Sequence, residues 1–332
     1  MKYQTLEKCV GCKLGCDIID DNDILILKKG TMITEHYVER LRNFGIFCLC
    51  IDDEISEGID ISQPASEDTL KKSQRAIAEY DVDKTFNAAT RLVDEIIANS
   101  ASLENGYHIL KTYDENTCEH SVAVAINALT MGISLGLNIV KLNNLSVGGM
   151  LHDIGKSRVP IEILNKSGQL DDDERLEMQK HPQHGYDILN QDILVPATVK
   201  AIVLQHHENW DGTGYPKQLK EHNVYELAAI IHICDVYDAL VSKRTYKEAF
   251  SFHDTIEYMK SQSGKMFNPY YLKYFLMYVP IYHTGTIVKL SNGEEAIVVK
   301  NNKGDMTRPT VRVISNMSDI DLRQHEELYI IS

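Results

Sequence analysis

The chain has 332 residues, of which 43% are hydrophobic and 25% charged. At roughly 100–200 residues per domain that is about two domains, with ample apolar surface for a core, and it excludes a disordered or collagenous chain. With 34 basic against 48 acidic side chains the net charge is −14, which excludes a basic nucleic-acid-coating protein and requires a local positive site for any anionic ligand.

The start, MKYQTLEKCV, has no apolar signal region, and no stretch approaches the ~20 apolar residues of a bilayer span. A soluble cytoplasmic protein is expected, with no membrane partner and no nucleic-acid polymer as partner. Seven cysteines, odd in number and unevenly spread, do not make a secreted disulfide framework, so reduced thiols are expected. Residues 1–62 read as a small α/β unit. Asp23–Lys29 is a short apolar strand candidate followed by Gly30. Residues 34–44 read as a helix, with Thr34 as N-cap and Glu35 complementing the dipole in the first turn. Residues 46–51 are a second strand candidate, with Cys48 and Cys50 on one face. Residues 55–68, rich in Ser, Asp, Glu, Gly and Pro, read as a linker.

From residue 66 to 100 apolar residues recur at three- and four-residue spacing, as in Leu92, Val93, Ile96 and Ile97, and predict a helical linker over 66–104. That stretch reads equally as a dimerisation arm, giving a homodimer, or as a helix packed within the chain. Helical segments continue to about Tyr278. From His283 to Ser332, short β-branched runs (TGTIVKL, EAIVVK, TVRVI, ELYII) alternate with turn residues and predict a small all-β module. No internal repeat or low-complexity tract is visible. The fold class expected is mainly α: a helical bundle between a small N-terminal α/β unit (1–62) and a small β module (281–332).

The helical middle concentrates histidines and carboxylates. His120 sits early in a helix whose start Asn116 and Glu119 would cap. His152 and Asp153 follow an apolar helix, with Gly155 expected as its stop. His181 is expected to end the acidic-started helix of residues 171–181, before Pro182. His206 and His207 end a helix opened by Pro196. Asp235 lies within the apolar run LAAIIHICDVYDAL, where a buried unpaired carboxylate would be costly. Five imidazoles and two carboxylates from separate helices converge only in a bundle core, and such N/O ligation suits Fe, Mn, Zn, Co or Ni. One carboxylate bridging two ions about 3.5–4 Å apart would let them clamp an in-line displacement at phosphorus.

These residues, with the run GMLHDIGK (149–156), His206-His207-Glu208, the loop DGTGYP (211–216) and Asp235 through Arg244, resemble the HD-GYP phosphodiesterases, a branch of the HD superfamily. The resemblance covers roughly residues 105–280. It implies that His120, His152, Asp153 and Asp235 hold one divalent metal, Fe or Mn foremost. Asp153, His181, His206 and His207 would hold a second, with Asp153 bridging. It implies that Lys156 contacts the scissile phosphate, that Tyr215 packs on the nucleotide, and that Arg244 and Lys247 bind phosphate or guanine. The implied substrate is cyclic di-GMP, cut by a metal-bridging hydroxide to pGpG and then GMP. Some members hold a third metal through a Glu four residues before the first His. Asn116 stands there, and Glu115 is one residue off, about 100° round a helix, so two metals are expected.

Other features carry two readings each. Cys9, Cys12 and Cys16, with Cys48 and Cys50, read as a metal or redox-sensing cluster or as small core residues. His232 reads as core and His184 as a solvated helix-end residue. Asp238, one turn after Asp235, reads as a partner orienting a ligand histidine or as a packing group. Trp210 reads as a base-stacking or a core residue. The run Asp171–Glu174 reads as a solvated helix start. Competing functions are a phosphodiesterase for another cyclic dinucleotide such as cyclic GMP-AMP, a weakly catalytic cyclic-dinucleotide sensor, and a nucleotide phosphohydrolase.

Overall fold

The computed structural model describes residues 1–19, 24–44, 46, 48–106, 117–166, 168–242 and 251–331. The chain is mostly helical, with small antiparallel sheets near its two ends. The N-terminal unit holds β1 (Lys2–Thr5), β2 (Lys13–Leu14), β3 (Ile18–Ile19), β4 (Leu25–Leu27), α1 (Glu35–Asn43) and β5 (Cys48–Asp52). Thr34 caps α1 as expected, its Oγ1 accepting from the Tyr37 backbone N–H at 3.4 Å. The strand expected over 23–29 narrows to β4, which pairs with β3; Asp23 lies outside the described residues.

In the three-stranded sheet the order is β1-β5-β2, so β5 is central. Leu49, Cys50 and Ile51 are all buried while Cys48 is half-buried. Cys48 and Cys50, two residues apart on β5, share a face as expected, and Leu49 and Ile51 on the other face are buried as well.

The helical stretch of 66–100 is two helices, α2 (Glu67–Ala78) and α3 (Val82–Ala98). The chain breaks at Tyr80, in the left-handed region at φ 52°, and Asp81 restarts it by accepting the Lys84 N–H at 2.9 Å. The pair packs within the chain. Ala89, Leu92, Val93 and Ile96 share one apolar core with Val122, Ile126 and Leu129 of α4 (Thr117–Ser134) and Val147 and Leu151 of α5 (Ile139–Leu151).

The bundle continues through α6 (Ile161–Leu164), α7 (Asp172–Met178), α8 (His181–Leu189), α9 (Ala197–Gln205), α10 (Glu226–Val241), α11 (Phe252–Ser261) and α12 (Pro269–Tyr278). At the start of α7, Asp171 and Glu174 form a reciprocal capping box, so the acidic run satisfies free N–H groups there. A second core joins α4, α10 and α12 to the C-terminal sheet, through residues such as Val124, Ile233, Phe275 and Val298.

That sheet is an antiparallel meander of β6 (Ile287–Lys289), β7 (Glu295–Lys300), β8 (Thr310–Val313) and β9 (Asp319–Asp321). The last strand is the polar segment Asp319–Asp321, not ELYII. Ile330 makes only an isolated bridge to Leu290 and is buried there, so the apolar run serves to cover the core rather than to extend the ladder. Among the described residues no helix is long and apolar enough to cross a membrane.

Candidate metal centre

Helix ends build the site. The last carbonyls of a helix have no intrahelical partner. His152 stands at the C-cap of α5 and His206 at that of α9, and each ring places Nδ1 on the carbonyl three residues back, Gly149 O at 2.7 Å and Val203 O at 2.8 Å. His181 does the same with Met178 O, at the end of α7, at 2.8 Å. A carbonyl only accepts, so Nδ1 carries the hydrogen in all three rings. Each Nε2 is therefore a bare lone pair, and the three converge in the bundle interior.

Two boundaries differ from those expected. α5 ends at Leu151, and Gly155 lies in the following 3-10 turn. Its role is close approach: a Cβ there would lie 2.0 Å from His181 O and 2.4 Å from Gly185 N. His181 opens α8 rather than ending the acidic helix, because Pro182 is tolerated only in a first turn. The bare Gly155 backbone is what lets the first turn of α8 bring His181 beside Asp153. A Gly155→Ala variant is expected to lose on the order of 1–3 kcal/mol of stability, since the obstruction is backbone and cannot rotate away. An unchanged denaturation midpoint would contradict this close packing.

His120, on α4, lies between two carboxylates of α10. Its Nδ1 is 2.7 Å from Asp238 Oδ2 and its Nε2 3.0 Å from Asp235 Oδ1. Burial alone would lower its pKa, but the two carboxylates raise it to about 9. Asp238 thus touches a candidate ligand, the contact that its reading as an orienting partner requires.

Asp153 sits between the remaining groups. Its Oδ1 is 3.3 Å from His181 Nε2 and 3.9 Å from His206 Nε2, and its Oδ2 is 3.3 Å from His152 Nε2 and 2.6 Å from Lys156 Nζ. Burial would raise its pKa, yet the contacts with the His152 ring and the Lys156 ammonium hold it well below the usual carboxylate range. Asp235 Oδ2 is 4.0 Å from His207 Nδ1. Burial pushes His181 down to about 4 and His207 to about 3, and lowers His206 as well, which favours the neutral rings.

All seven sequence-derived candidates therefore come together. Two groups have ligand atoms within 4.8 Å of one another: Asp153, His181, His206 and His207, and His120, His152 and Asp235. The fit to divalent ions rests on what the protein leaves unsatisfied. His152 Nε2 and Asp153 Oδ1 are buried without a hydrogen-bond partner. His181 Nε2 and His206 Nε2 are 3.2 Å apart, two lone pairs facing each other with no hydrogen between them. A cation resolves both conditions, and neutral imidazole with carboxylate suits borderline metals.

The loop after His207 closes one side. Gly214 runs against the His207–Asn209 backbone, where a Cβ would lie 2.2 Å from Asn209 N and 2.4 Å from His207 O. Tyr215 donates its N–H to His207 O at 3.1 Å, and its ring stacks on His207 at a 4.7 Å centroid separation. Glu208 organises this loop: its carboxylate, 1% exposed, accepts the N–H groups of Lys217 at 2.6 Å and Leu219 at 2.9 Å. The sequence reading gave Glu208 no role. The signal was an acidic residue preceding a glycine-rich loop whose N–H groups need acceptors.

His232 is buried between the His207 and Phe267 rings, as a core residue. His184 belongs to neither group. Trp210 packs edge-on against His222 at 5.2 Å and lines a cavity of about 450 Å³ with Tyr225, Glu226 and Tyr271, which the His/Asp groups do not line. Arg244, Lys247, Glu115 and Asn116 lie outside the described residues.

An Asp238→Asn variant is expected to bind metal 10–100-fold more weakly, because outer partners fix ring orientation and ligand basicity. Competition with a chromophoric chelator measures this. Wild-type affinity would return Asp238 to a packing role.

Comparison with known proteins identifies the family of this chain. The HD domain family model matches residues 93–270. A cyclic di-GMP phosphodiesterase of Pseudomonas aeruginosa, PA4108, is 38% identical over 68% of this chain and 55% of its own length. A 3'3'-cGAMP-specific phosphodiesterase of Vibrio cholerae is 31% identical over 61% of this chain and 40% of its own length. The chain thus spans about half the length of the curated relatives it matches. Bd1817, an HDG"Y"P protein of Bdellovibrio bacteriovorus, shares the fold with a TM-score of 0.52 at 21% identity, over 82% of this chain and 97% of that one. This chain belongs to the HD domain family. The His152-Asp153 pair and the Gly214-Tyr215-Pro216 loop are the motifs on which the resemblance to the HD-GYP branch rests.

Proposed function

We propose that this chain is a metal-dependent phosphodiesterase that hydrolyses cyclic di-GMP to pGpG, GMP or both. The observation that carries it is the convergence of five imidazoles and two carboxylates in the bundle interior, where the Nε2 atoms of His181 and His206 face each other. His120, His152 and Asp235 would hold one divalent ion and His181, His206 and His207 the other, with Asp153 shared between them. Iron and manganese match this donor set. Ions bound there would supply Lewis acidity toward a phosphoryl oxygen and a water acidic enough to serve as nucleophile near neutral pH.

The protein's own groups do the rest. The Lys156 side chain is largely buried, and its ammonium, beside Asp153, would meet negative charge developing on the phosphate. Tyr215 would face the nucleotide, its ring held in place by His207 and the Glu208-anchored loop. Arg244 and Lys247 are proposed as phosphate or guanine contacts. Bound cations with these basic groups would hold a dianion locally despite the net charge of −14. Residues 105–280 would form the catalytic unit in a cytoplasmic protein, with the N- and C-terminal units as appendages.

The relative named as 3'3'-cGAMP-specific favours a second reading, the mixed dinucleotide as substrate. Parallel assays of the metal-loaded protein with each dinucleotide separate the two. A higher kcat/KM for cyclic di-GMP supports the first. Turnover confined to 3'3'-cGAMP replaces it, and turnover of neither withdraws the phosphodiesterase assignment.

A further inference from the structure

Five of the seven cysteines lie in the first 50 residues, and the metal centre uses none of them. Their placement separates them. Cys9 is buried, with its Sγ donating to Thr5 O at 3.2 Å, and Cys12 Sγ reaches Lys8 O at 3.8 Å. These thiols are engaged with the local backbone. Cys16 is exposed, whereas Cys50 is 2% exposed in the central strand β5.

Three observations put the Cys50 sulfur beside residue 16. Leu14 pairs with Ile51, and Gly15 continues that register by donating its N–H to Cys50 O at 2.7 Å. A Cβ on Gly15 would lie 2.8 Å from Cys50 Sγ, so the Cys50 side chain lies over the Gly15 backbone. The chain bends at Cys16, the residue directly after Gly15. All seven thiols are free.

We propose that Cys16 and Cys50 form a peroxide-responsive dithiol, with Cys16 as the attacking thiol and Cys50 as the resolving one. Cys16 is exposed and so reachable by a small hydroperoxide from solvent, and the Cys50 sulfur lies over the backbone of the adjoining Gly15. The Cys50 thiol lowers the Cys16 pKa, which raises the thiolate fraction that reacts, while Cys50 is held protonated. In the first step the Cys16 sulfur bonds to one peroxide oxygen, the O–O bond breaks, and hydroxide leaves to become water. Cys16 is now a sulfenic acid. In the second step Cys50 sulfur attacks Cys16 sulfur, the S–O bond breaks, and water leaves with the Cys50 proton. Two thiols give up two electrons, and hydrogen peroxide becomes two waters.

The product bond would join the bend at Cys16 to the middle of β5. The unit so locked is anchored to the C-terminal sheet, where Arg312 of β8 donates to Ile55 O and Glu57 O at 3.2 and 2.8 Å. This proposal is independent of the phosphodiesterase assignment, since no residue is shared.

The test treats the fully reduced whole chain with hydrogen peroxide, blocks remaining thiols in denaturant and maps them by mass spectrometry. The expected result is loss of two of the seven thiols, a 2 Da decrease, and a peptide cross-linked through Cys16 and Cys50. A Cys16→Ser variant, at an exposed position that should not disturb folding, is expected to keep its other six thiols under the same dose. In Cys50→Ala, Cys16 is expected to be trapped as a dimedone adduct. Seven intact thiols at a dose that oxidises free N-acetylcysteine would overturn the proposal. So would a cross-link through Cys9, Cys12 or Cys48 in place of the named pair.

Discussion

Asp153→Asn is expected to lose turnover and metal together. The carboxylate touches ligand candidates of both sets, with His152 on one oxygen and His181 and His206 on the other. An amide keeps the shape but removes the charge and turns one acceptor into a donor. That donor would face imidazole lone pairs, while the cation would lose its shared anion. Even outer partners are worth roughly 10–100-fold in metal affinity, so a direct ligand shared by two ions should cost at least that. Activity is expected to fall below about 1% of wild type. Elemental analysis and an initial-rate assay on the same sample check both halves. Full activity with reduced metal content would refute the shared role.

Lys156→Ala is expected to separate those two readouts. The ammonium lies 2.6 Å from Asp153 Oδ2, so it could act on the carboxylate or on the substrate phosphate. A phosphate contact predicts retained metal and a kcat lower by about 10²–10³-fold, the loss typical of removing one donor from a developing oxyanion. Support of Asp153 alone predicts a fall in metal content with a matching fall in rate, and no residual defect once excess metal restores occupancy. Unchanged kcat would remove Lys156 from the chemistry.

Much of this centre was legible from residues alone, for a definite reason. Histidine and aspartate inside apolar helical runs are costly unless something neutralises them, so His152-Asp153, His206-His207 and Asp235 stood out. What stayed hidden depends on contacts between segments distant in sequence. Gly155 suggested a helix stop, whereas its purpose is set by the His181 carbonyl arriving from another helix. Asp238 was ambiguous because its place one turn after Asp235 gives its face but not its partner, and that partner, His120, is 118 residues away. The break at Tyr80 was hidden by apolar spacing that runs on through both helices. ELYII has the composition of a strand, yet it lies where a single bridge to Leu290 is all the ladder it meets. By contrast, the ring tautomers of His152 and His206 follow from their helix ends, through carbonyls only three residues back.

The central claim is that two divalent ions occupy the two His/Asp groups. Elemental analysis of anaerobically purified protein, with metal counted per chain before and after dialysis against a chelator, tests it most directly. About two ions per chain, lost on chelation together with cyclic di-GMP hydrolysis and restored with it on adding back Fe²⁺ or Mn²⁺, is the predicted result. A chain that stays metal-free after reconstitution, or that hydrolyses the substrate equally well without metal, would contradict it.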